Sequence, residues 1–370
     1  MPPQSPHFSV LPTPTAGRAV FARTHIPKTT LLHRATDLSV TVILREYRRE
    51  VCGHCFFYNR GLNLPIRVAA TGYAFCSREC QGAWEDGVGA TGVAAWEAVE
   101  KLVKGRSRED SEGVELDSLV RPGVEEVEGA WRGVESSAVL IRGARGVEEQ
   151  QQASHEGLGP LGDEEVGGKG PVKPTKPQRR AVAAALQARI SPDVMAFLVS
   201  GLVWRHAASS EEWDALVALA DDATPYHSAD DLSAFTRSYL HLLAILPLPL
   251  LPLCTPETLF LLSSRDSHNS FGIRSLDDEG SEFFGYGCWP SASYFNHSCG
   301  PNVEKVRNGR VWEFRAGRDV EEGEELSITY LSGEERRLGR EKRMHTLRRN
   351  WGFDCACHRC REEEGKTRET

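Results

Sequence analysis

The placement of cysteine constrains this chain more than any other feature. Ten cysteines occur in 370 residues, and most of them fall into groups with metal-ligand spacing. Near the end, Cys355, Cys357 and Cys360 form a C-x-C-x-x-C cluster. Soft thiolates this close converge on a tetrahedral ion such as zinc, and three of them leave one position to be filled from elsewhere. Cys299, within Asn296-His297-Ser298-Cys299, is the candidate; His358, inside the cluster, is the sterically less comfortable alternative. Cys52-x-x-Cys55 and Cys76-x-x-x-Cys80 make a second, complete four-sulfur set, with about twenty residues between the pairs. His54 reads as a bystander there, and a redox role for the first pair lacks a surrounding βαβ pattern. Cys254 and Cys288 lie in apolar or aromatic surroundings and read as small core residues.

In a reducing compartment, ten cysteines suggest metal binding before disulfides. The N-terminal MPPQSPHFSVLPTPT has neither the basic start nor the apolar stretch of a secretory signal. The longest apolar run, Leu242–Leu253, carries three prolines and is too short to cross a bilayer. The expected setting is therefore intracellular, in nucleus and/or cytoplasm, with no membrane contact. A hydrophobic content of 40% with 26% charged residues excludes wholesale disorder. The net charge of −8 argues against direct nucleic-acid binding and is compatible with a basic protein partner.

The expected fold class is mainly β with inserted helices (α+β). Short strands are predicted at Gly17–Ala22, Leu38–Ile43, Phe271–Ile273, Glu282–Trp289, Val311–Arg315 and Glu325–Tyr330. Residues 1–51 and 263–345 would then be two halves of one β core. Between them lie the zinc segment 52–85, a stretch over 105–180 and a helical insert over 181–262. Residues 105–180 are rich in Gly, Glu, Ser and Gln with few aromatics, which predicts a disordered or loosely helical acidic insertion. Its basic end, Lys173, Lys176, Arg179 and Arg180, reads as a solvated linker end, with a nuclear-import patch as the alternative. Apolar residues at Val194, Phe197, Leu198, Leu202 and Val203 follow the helix start Ser191-Pro192-Asp193, and a second helix fits 232–246. Residues 346–370 form the closing cysteine loop.

Three segments together carry a family resemblance. Ser291-Ala292-Ser293-Tyr294-Phe295-Asn296-His297-Ser298-Cys299-Gly300-Pro301-Asn302, then Gly323–Tyr330, then Trp351–Cys360 resemble the SET-domain protein lysine methyltransferases. The zinc segment between the first strands and the helical middle resembles the SET-and-MYND subfamily. Gly17–Ala22 is similar to that family's opening strand, Asn269–Ile273 to the return to the β core, and Cys355–Cys360 to the post-SET loop. Two departures stand out. Only one cysteine pair precedes Cys76 and no His-x-x-x-Cys follows Trp84, so the MYND-like segment is reduced to one zinc. The opening loop, Thr15-Ala16-Gly17-Arg18, carries less glycine than is usual at the cofactor.

The resemblance implies transfer of a methyl group from S-adenosylmethionine to a neutral lysine amine of a histone or another basic protein, with two structural zincs. It assigns Tyr330 as the catalytic tyrosine. It places Arg18, Asn269, Asn296, His297 and Phe353 on the cofactor, the last by stacking on adenine, and Trp351 and Tyr286 along the lysine channel. An unperturbed phenol near pKa ~10 keeps its proton at neutral pH, which favours an orienting and electrostatic role for Tyr330 over that of a base. The residue count after His297 puts Glu304 or Lys305, not an aromatic, where some relatives tune the degree of methylation. The rival from another class is a catalytically inactive scaffold that keeps the fold for protein contacts.

Overall fold

The computed structural model describes residues 2–14, 17–105, 120–155, 173–276 and 282–368. Thr15 and Ala16 of the opening loop, and 106–119 and 156–172 of the predicted insertion, lie outside them. The chain opens with β1 (Phe8–Thr13), β2 (Gly17–Ala22), β3 (Leu31–Ala35) and β4 (Thr41–Ile43), followed in the zinc segment by β5 (Ile66–Val68) and β6 (Tyr73–Phe75). Helices α1 (Arg78–Lys104), α2 (Val124–Gly133), α3 (Glu135–His155), α4 (Lys176–Gln187), α5 (Pro192–Ala207), α6 (Ser210–Val217), α7 (Ala229–Ile245) and α8 (Pro256–Asn269) come next. Then β7 (Ser270–Arg274), β8 (Phe283–Cys288), β9 (Val303–Asn308) and β10 (Val311–Ala316) return to the β layer. The tail carries α9 (Gly333–Arg337), α10 (Arg340–Trp351) and α11 (His358–Arg368). The class is α+β, as expected, and no helix among the described residues is long and apolar enough to cross a membrane.

The strands form small antiparallel sheets: β1-β2, β3-β10-β9, β4-β8-β7 and β5-β6. Two of the sheets therefore join a strand from the first fifty residues to strands from Ser270 onward, so one β core is assembled across the helical insertion. Gly285 makes the middle sheet possible. It lies in β8 opposite Ile43 on one side and Ile273 on the other, at φ +155°. A Cβ there would stand 2.0 Å from the Val42 carbonyl oxygen. Gly285→Ala is therefore expected to lower stability by about 2 kcal/mol, through overpacking against a backbone that cannot move aside, and a lower urea midpoint would register it.

The helical layer departs from expectation. Residues 124–155, within the stretch predicted as disordered or loosely helical, form α2 and α3, and α4 begins at Lys176. Val127, Trp131, Ala138 and Ile141 are buried along one stripe, and Trp131 Nε1 donates to the Tyr226 hydroxyl at 3.1 Å. Arg145 donates to the carbonyls of Ala244 (2.7 Å) and Leu246 (2.8 Å), and Arg142 to those of Leu251 (3.2 Å) and Cys254. The physical reason for the correction is that one narrow apolar stripe is enough when a neighbouring helix supplies the rest of the core. Arg145 then satisfies carbonyls at the end of α7, and Arg142 those of the turn that follows it. The predicted helices at 194–203 and 232–246 are α5 and α7. Ser228 caps α7 by accepting the Asp231 N–H at 3.1 Å.

Candidate active site and metal centres

Two non-adjacent segments run side by side at the site. His297 and Ile328 form a parallel bridge; the Ser298 N–H donates to Ile328 O (2.8 Å) and the Ile328 N–H to Asn296 O (3.0 Å). On its other side the second segment meets β2: Leu326 N–H donates to Val20 O at 2.7 Å. Asn302 braces the start of the second segment, with Nδ2 donating to Glu325 O (2.9 Å) and Oδ1 accepting the Ser327 N–H (2.9 Å). The strand predicted at 325–330 is thus a clamped segment with single bridges rather than part of a ladder, because its partners change from one residue to the next. Phe295 anchors the first segment, fully buried and stacked on Phe314 at 4.6 Å and 7°.

This clamp brings Tyr330 to His297. The Tyr330 N–H donates to His297 Nδ1 at 3.0 Å, which leaves the proton on Nε2, facing Cys299 Sγ at 3.4 Å. Burial lowers the His297 pKa to about 4, so the ring is neutral in this role. The Tyr330 hydroxyl donates to Phe295 O at 3.2 Å. Burial, with the Glu325 carboxylate adding to it, pushes its pKa well above 10, so the phenol stays protonated. The Tyr330 ring lies 5.3 Å from His297, 5.4 Å from Trp351 and 6.3 Å from Phe353, and Phe353 is 6.0 Å from His297.

The tail reaches this point through a left-handed cap. Gly352 ends α10 at φ +72°, its N–H donating to Arg348 O at 3.0 Å, and so turns the chain between Trp351 and Phe353. Cys355, Cys357, Cys360 and Cys299 then converge, with their sulfurs within 4.8 Å of one another. Cys299 stands 3.9 Å from Cys355 and 3.5 Å from Cys360. A zinc ion with ~2.3 Å bonds to four thiolates in a tetrahedron holds its sulfurs about 3.8 Å apart. The donor set fits that ion, and Cys299, not the exposed His358, completes it. Hydrogen bonds among these sulfurs lower the Cys357 pKa and raise that of Cys355, so the negative charge of the group gathers on Cys357.

The second set, Cys52, Cys55, Cys76 and Cys80, also lies within 4.8 Å, with 3.6 Å between Cys55 and Cys76 and 3.5 Å between Cys76 and Cys80. Cys76 follows β6 and Cys80 falls in the first turn of α1, where the Ser77 hydroxyl accepts its N–H at 3.2 Å. A side-chain bond from Cys55 brings the Cys52 pKa down to about 4, against the opposing effect of burial. All ten cysteines are unpaired as disulfides, and Cys254 and Cys288 are buried core residues. Each four-sulfur group could hold one zinc.

Other predicted residues are placed less directly. Asn296 Nδ2 donates to Arg18 O (3.0 Å) and Glu325 Oε1 (3.2 Å), so Arg18 lies at the rim by its backbone. Its guanidinium covers the Tyr294 ring at 4.7 Å and donates to the Tyr294 hydroxyl (3.1 Å) and Ala218 O. Asn269 is buried and spends Nδ2 on the carbonyls of Ala220 (2.8 Å) and Arg265 (2.7 Å). Tyr286 packs against Phe197 of α5 at 6.4 Å, and no ring contact joins it to Tyr330 or Trp351.

Two supports carry no signal in the sequence. Arg343 of α10 is fully buried and donates to Cys360 Sγ (3.7 Å), Glu363 (2.7 Å) and Leu338 O (2.6 Å). It brings a cation to sulfurs that carry negative charge when ligating. Asp222 ties the tail to the helical layer. It accepts from Arg121 (3.2 Å), His268 Nε2 (3.1 Å), Ser267 (2.8 Å) and the Thr224 N–H (2.8 Å), while Arg121 also donates to Arg349 O at 3.2 Å. Burial alone would raise the Asp222 pKa, but these bonds outweigh it and hold the carboxyl well below its ordinary range. Its stabilising contribution is therefore present above about pH 4 and lost as acid takes the pH down through the depressed folded value. Asp222→Ala is expected to cost about 2 kcal/mol at neutral pH, and its penalty in urea unfolding should shrink on acidification.

Comparison with known proteins shows the family. The family model for the SET domain matches residues 17–331. The chain is 25% identical over 393 aligned residues to the potential protein lysine methyltransferase SET6 of Saccharomyces cerevisiae, covering 97% of this chain and 96% of that one. It is 44% identical over 96 residues to the human histone-lysine N-methyltransferase SMYD3, covering 26% of this chain and 21% of that protein. Over 92 residues it is 36% identical to a SET and MYND domain-containing protein of Dictyostelium discoideum, covering 25% of this chain and 21% of that protein. The chain belongs to the SET-domain family.

Proposed function

We infer that the chain is an S-adenosylmethionine-dependent protein-lysine N-methyltransferase. The observation that carries this reading is the meeting of Tyr330, His297, Trp351 and Phe353 at a point where a four-cysteine knot ties the tail to residue 299. When bound, S-adenosylmethionine supplies a methyl group already activated on a sulfonium, so the protein's work is alignment, desolvation and charge placement. Asn296, His297 and Phe353 would hold it, helped by the Arg18 backbone and the remaining acceptor, Oδ1, of Asn269. Tyr330 keeps its proton and fixes its hydroxyl against Phe295 O, which suits orientation of the reacting centre and excludes the part of a general base at neutral pH. Trp351, packed on Tyr330, gives an apolar wall; desolvation there penalises an entering ammonium and favours the neutral, nucleophilic amine. Tyr286, whose ring packs against Phe197 of α5, is the further channel residue that the resemblance implies.

Both four-cysteine groups would hold structural zinc, since four sulfur ligands leave no open position for catalysis. The substrate is a lysine in a histone or another basic protein, a partner that the net charge of −8 favours, and nucleus and/or cytoplasm is the corresponding setting. Two measurements test the reading: calorimetry with S-adenosylmethionine, and incubation of the methyl-labelled compound with mixed histones. Saturable binding and labelled lysines are expected. Absence of cofactor binding in zinc-replete protein would leave only the scaffold.

A further inference from the structure

We propose that Lys305 is itself a methyl acceptor, a self-modification site joined to Tyr330 through the rings of Phe271, Phe314 and Phe295. This rests on the methyltransferase reading above. In β9, Val303, Lys305 and Arg307 point to the inner face, whereas Glu304 and Val306 are exposed. Val303 and Arg307 are buried in ordinary ways; the Arg307 guanidinium donates to Gly309 O (3.0 Å) and Arg274 O (2.8 Å). Lys305 is different. Its Nζ lies 5.2 Å from the centre of the Phe271 ring and 5.8 Å from that of Trp312. Among the described residues no carboxylate is in salt-bridge contact with it, and the charge that acts on it is another cation, Arg274.

The rings under Lys305 lead to the proposed active site. Phe271 meets Phe314 edge-on at 6.4 Å, Phe314 stacks on Phe295 at 4.6 Å, and the Phe295 carbonyl accepts the Tyr330 hydroxyl. Lys305 is also directly opposite Phe314 in the β9-β10 register. A lysine that has no carboxylate partner among the described residues and lies against aromatic faces has surroundings that suit a methyl acceptor. Burial, reinforced by Arg274, lowers its pKa to about 8, so about a tenth of it is neutral amine near pH 7. The product suits the niche equally well, because a methylated ammonium keeps its charge and gains apolar surface against the rings. The step balances with S-adenosylmethionine as the only co-reactant. The Nζ lone pair forms the new N–C bond, the S–C bond breaks with its electrons remaining on the thioether sulfur, and one proton leaves the nitrogen for solvent past the half-exposed side of the chain.

The test is to incubate the full-length, zinc-replete protein with S-adenosylmethionine and no other protein, then map the peptide that spans Lys305 by mass spectrometry. Methylation of Lys305 is expected, at a first-order rate unchanged by dilution, and lost in Tyr330→Phe. Lys305→Arg should remove the modification, but the wild-type map decides the matter even if that variant folds poorly. An unmodified Lys305 in a preparation that binds S-adenosylmethionine and labels added histones overturns this proposal alone and leaves an ordinary lysine capping an aromatic core. A rate that rises with protein concentration overturns the intramolecular route. Failure of both cofactor binding and histone labelling removes the methyltransferase reading and this proposal with it.

Discussion

Cys299→Ser is expected to release one of two zinc equivalents and to weaken S-adenosylmethionine binding by about a hundredfold or more, while the Cys52 group keeps its metal. The reason lies in how little else holds the tail. The main hydrophobic core runs through the β sheets, the zinc segment and the helical layer. The tail has its own small cluster, Cys299, Leu331, Leu347, Cys355 and Cys360, bordered by Met344, Trp351, Phe353, Cys357 and Tyr330. Of these, Tyr330 alone also packs against the main core. So few apolar residues cannot fix a loop of this length; a structural zinc, with apparent binding energies of about 10–16 kcal/mol in small domains, can. Serine offers a harder, less acidic oxygen in place of a thiolate, and the buried Arg343 beside Cys360 would lose part of the negative charge that balances it. Without the knot, Phe353 and Trp351 are no longer held over His297 and Tyr330. Metal content by mass spectrometry and cofactor affinity by calorimetry read the two effects separately. Cys52→Ser is the control: it should lose the other zinc and leave cofactor affinity much closer to that of the parent. Unchanged zinc content in Cys299→Ser would remove Cys299 as a ligand.

What the amino-acid sequence discloses by itself follows the same division between chemistry and packing. Thiolate ligands have few alternative uses at such spacing, so the eight metal-site cysteines are legible, including the distant Cys299 once its neighbours Asn296 and His297 are weighed with it. Strands such as Gly17–Ala22 announce themselves by local pattern, and β2 matches that range. The segment 325–330 alternates like a strand, yet it is shared among three partners, and only the tertiary arrangement reveals that. Helices α2 and α3 are hidden because their burial depends on α7, whose apolar face is elsewhere in the sequence. Arg343 stands in an arginine-rich run that reads as solvated surface, and nothing local marks it off from Arg340 or Arg348; its burial comes from α11 folding back through Glu363. Asp222 and Arg121 are separated by a hundred residues, and a pair at that distance leaves no periodic trace. Tyr286 lies on β8, the central strand of its sheet, with its ring against Phe197 of α5, a packing that the Gly-Tyr-Gly motif does not disclose.

Tyr330→Phe is expected to lower kcat by about 10²–10³-fold while leaving the affinity for S-adenosylmethionine within about twofold, the loss typical of removing one preorganised polar group from a reacting centre. The substitution isolates the hydroxyl unusually well. The contacts of Tyr330 with His297, Trp351 and Phe353 are made by its ring, and its bond to His297 Nδ1 is made by the backbone N–H, so all of them persist in phenylalanine. What disappears is the single bond to Phe295 O, worth about 1 kcal/mol of stability. Stability and cofactor binding should therefore hardly change while turnover collapses, a pattern that misfolding does not produce. The pH profile adds a second discrimination. A hydroxyl with its pKa pushed well above 10 does not titrate in the neutral range, so the rise of kcat/KM with pH should belong to the acceptor amine and keep its slope in the variant. If Tyr330 were instead the base that takes the acceptor's proton, that slope would flatten when the hydroxyl is removed. A parallel but lowered profile separates an orienting phenol from a basic one, and turnover equal to the parent's would take Tyr330 out of the mechanism.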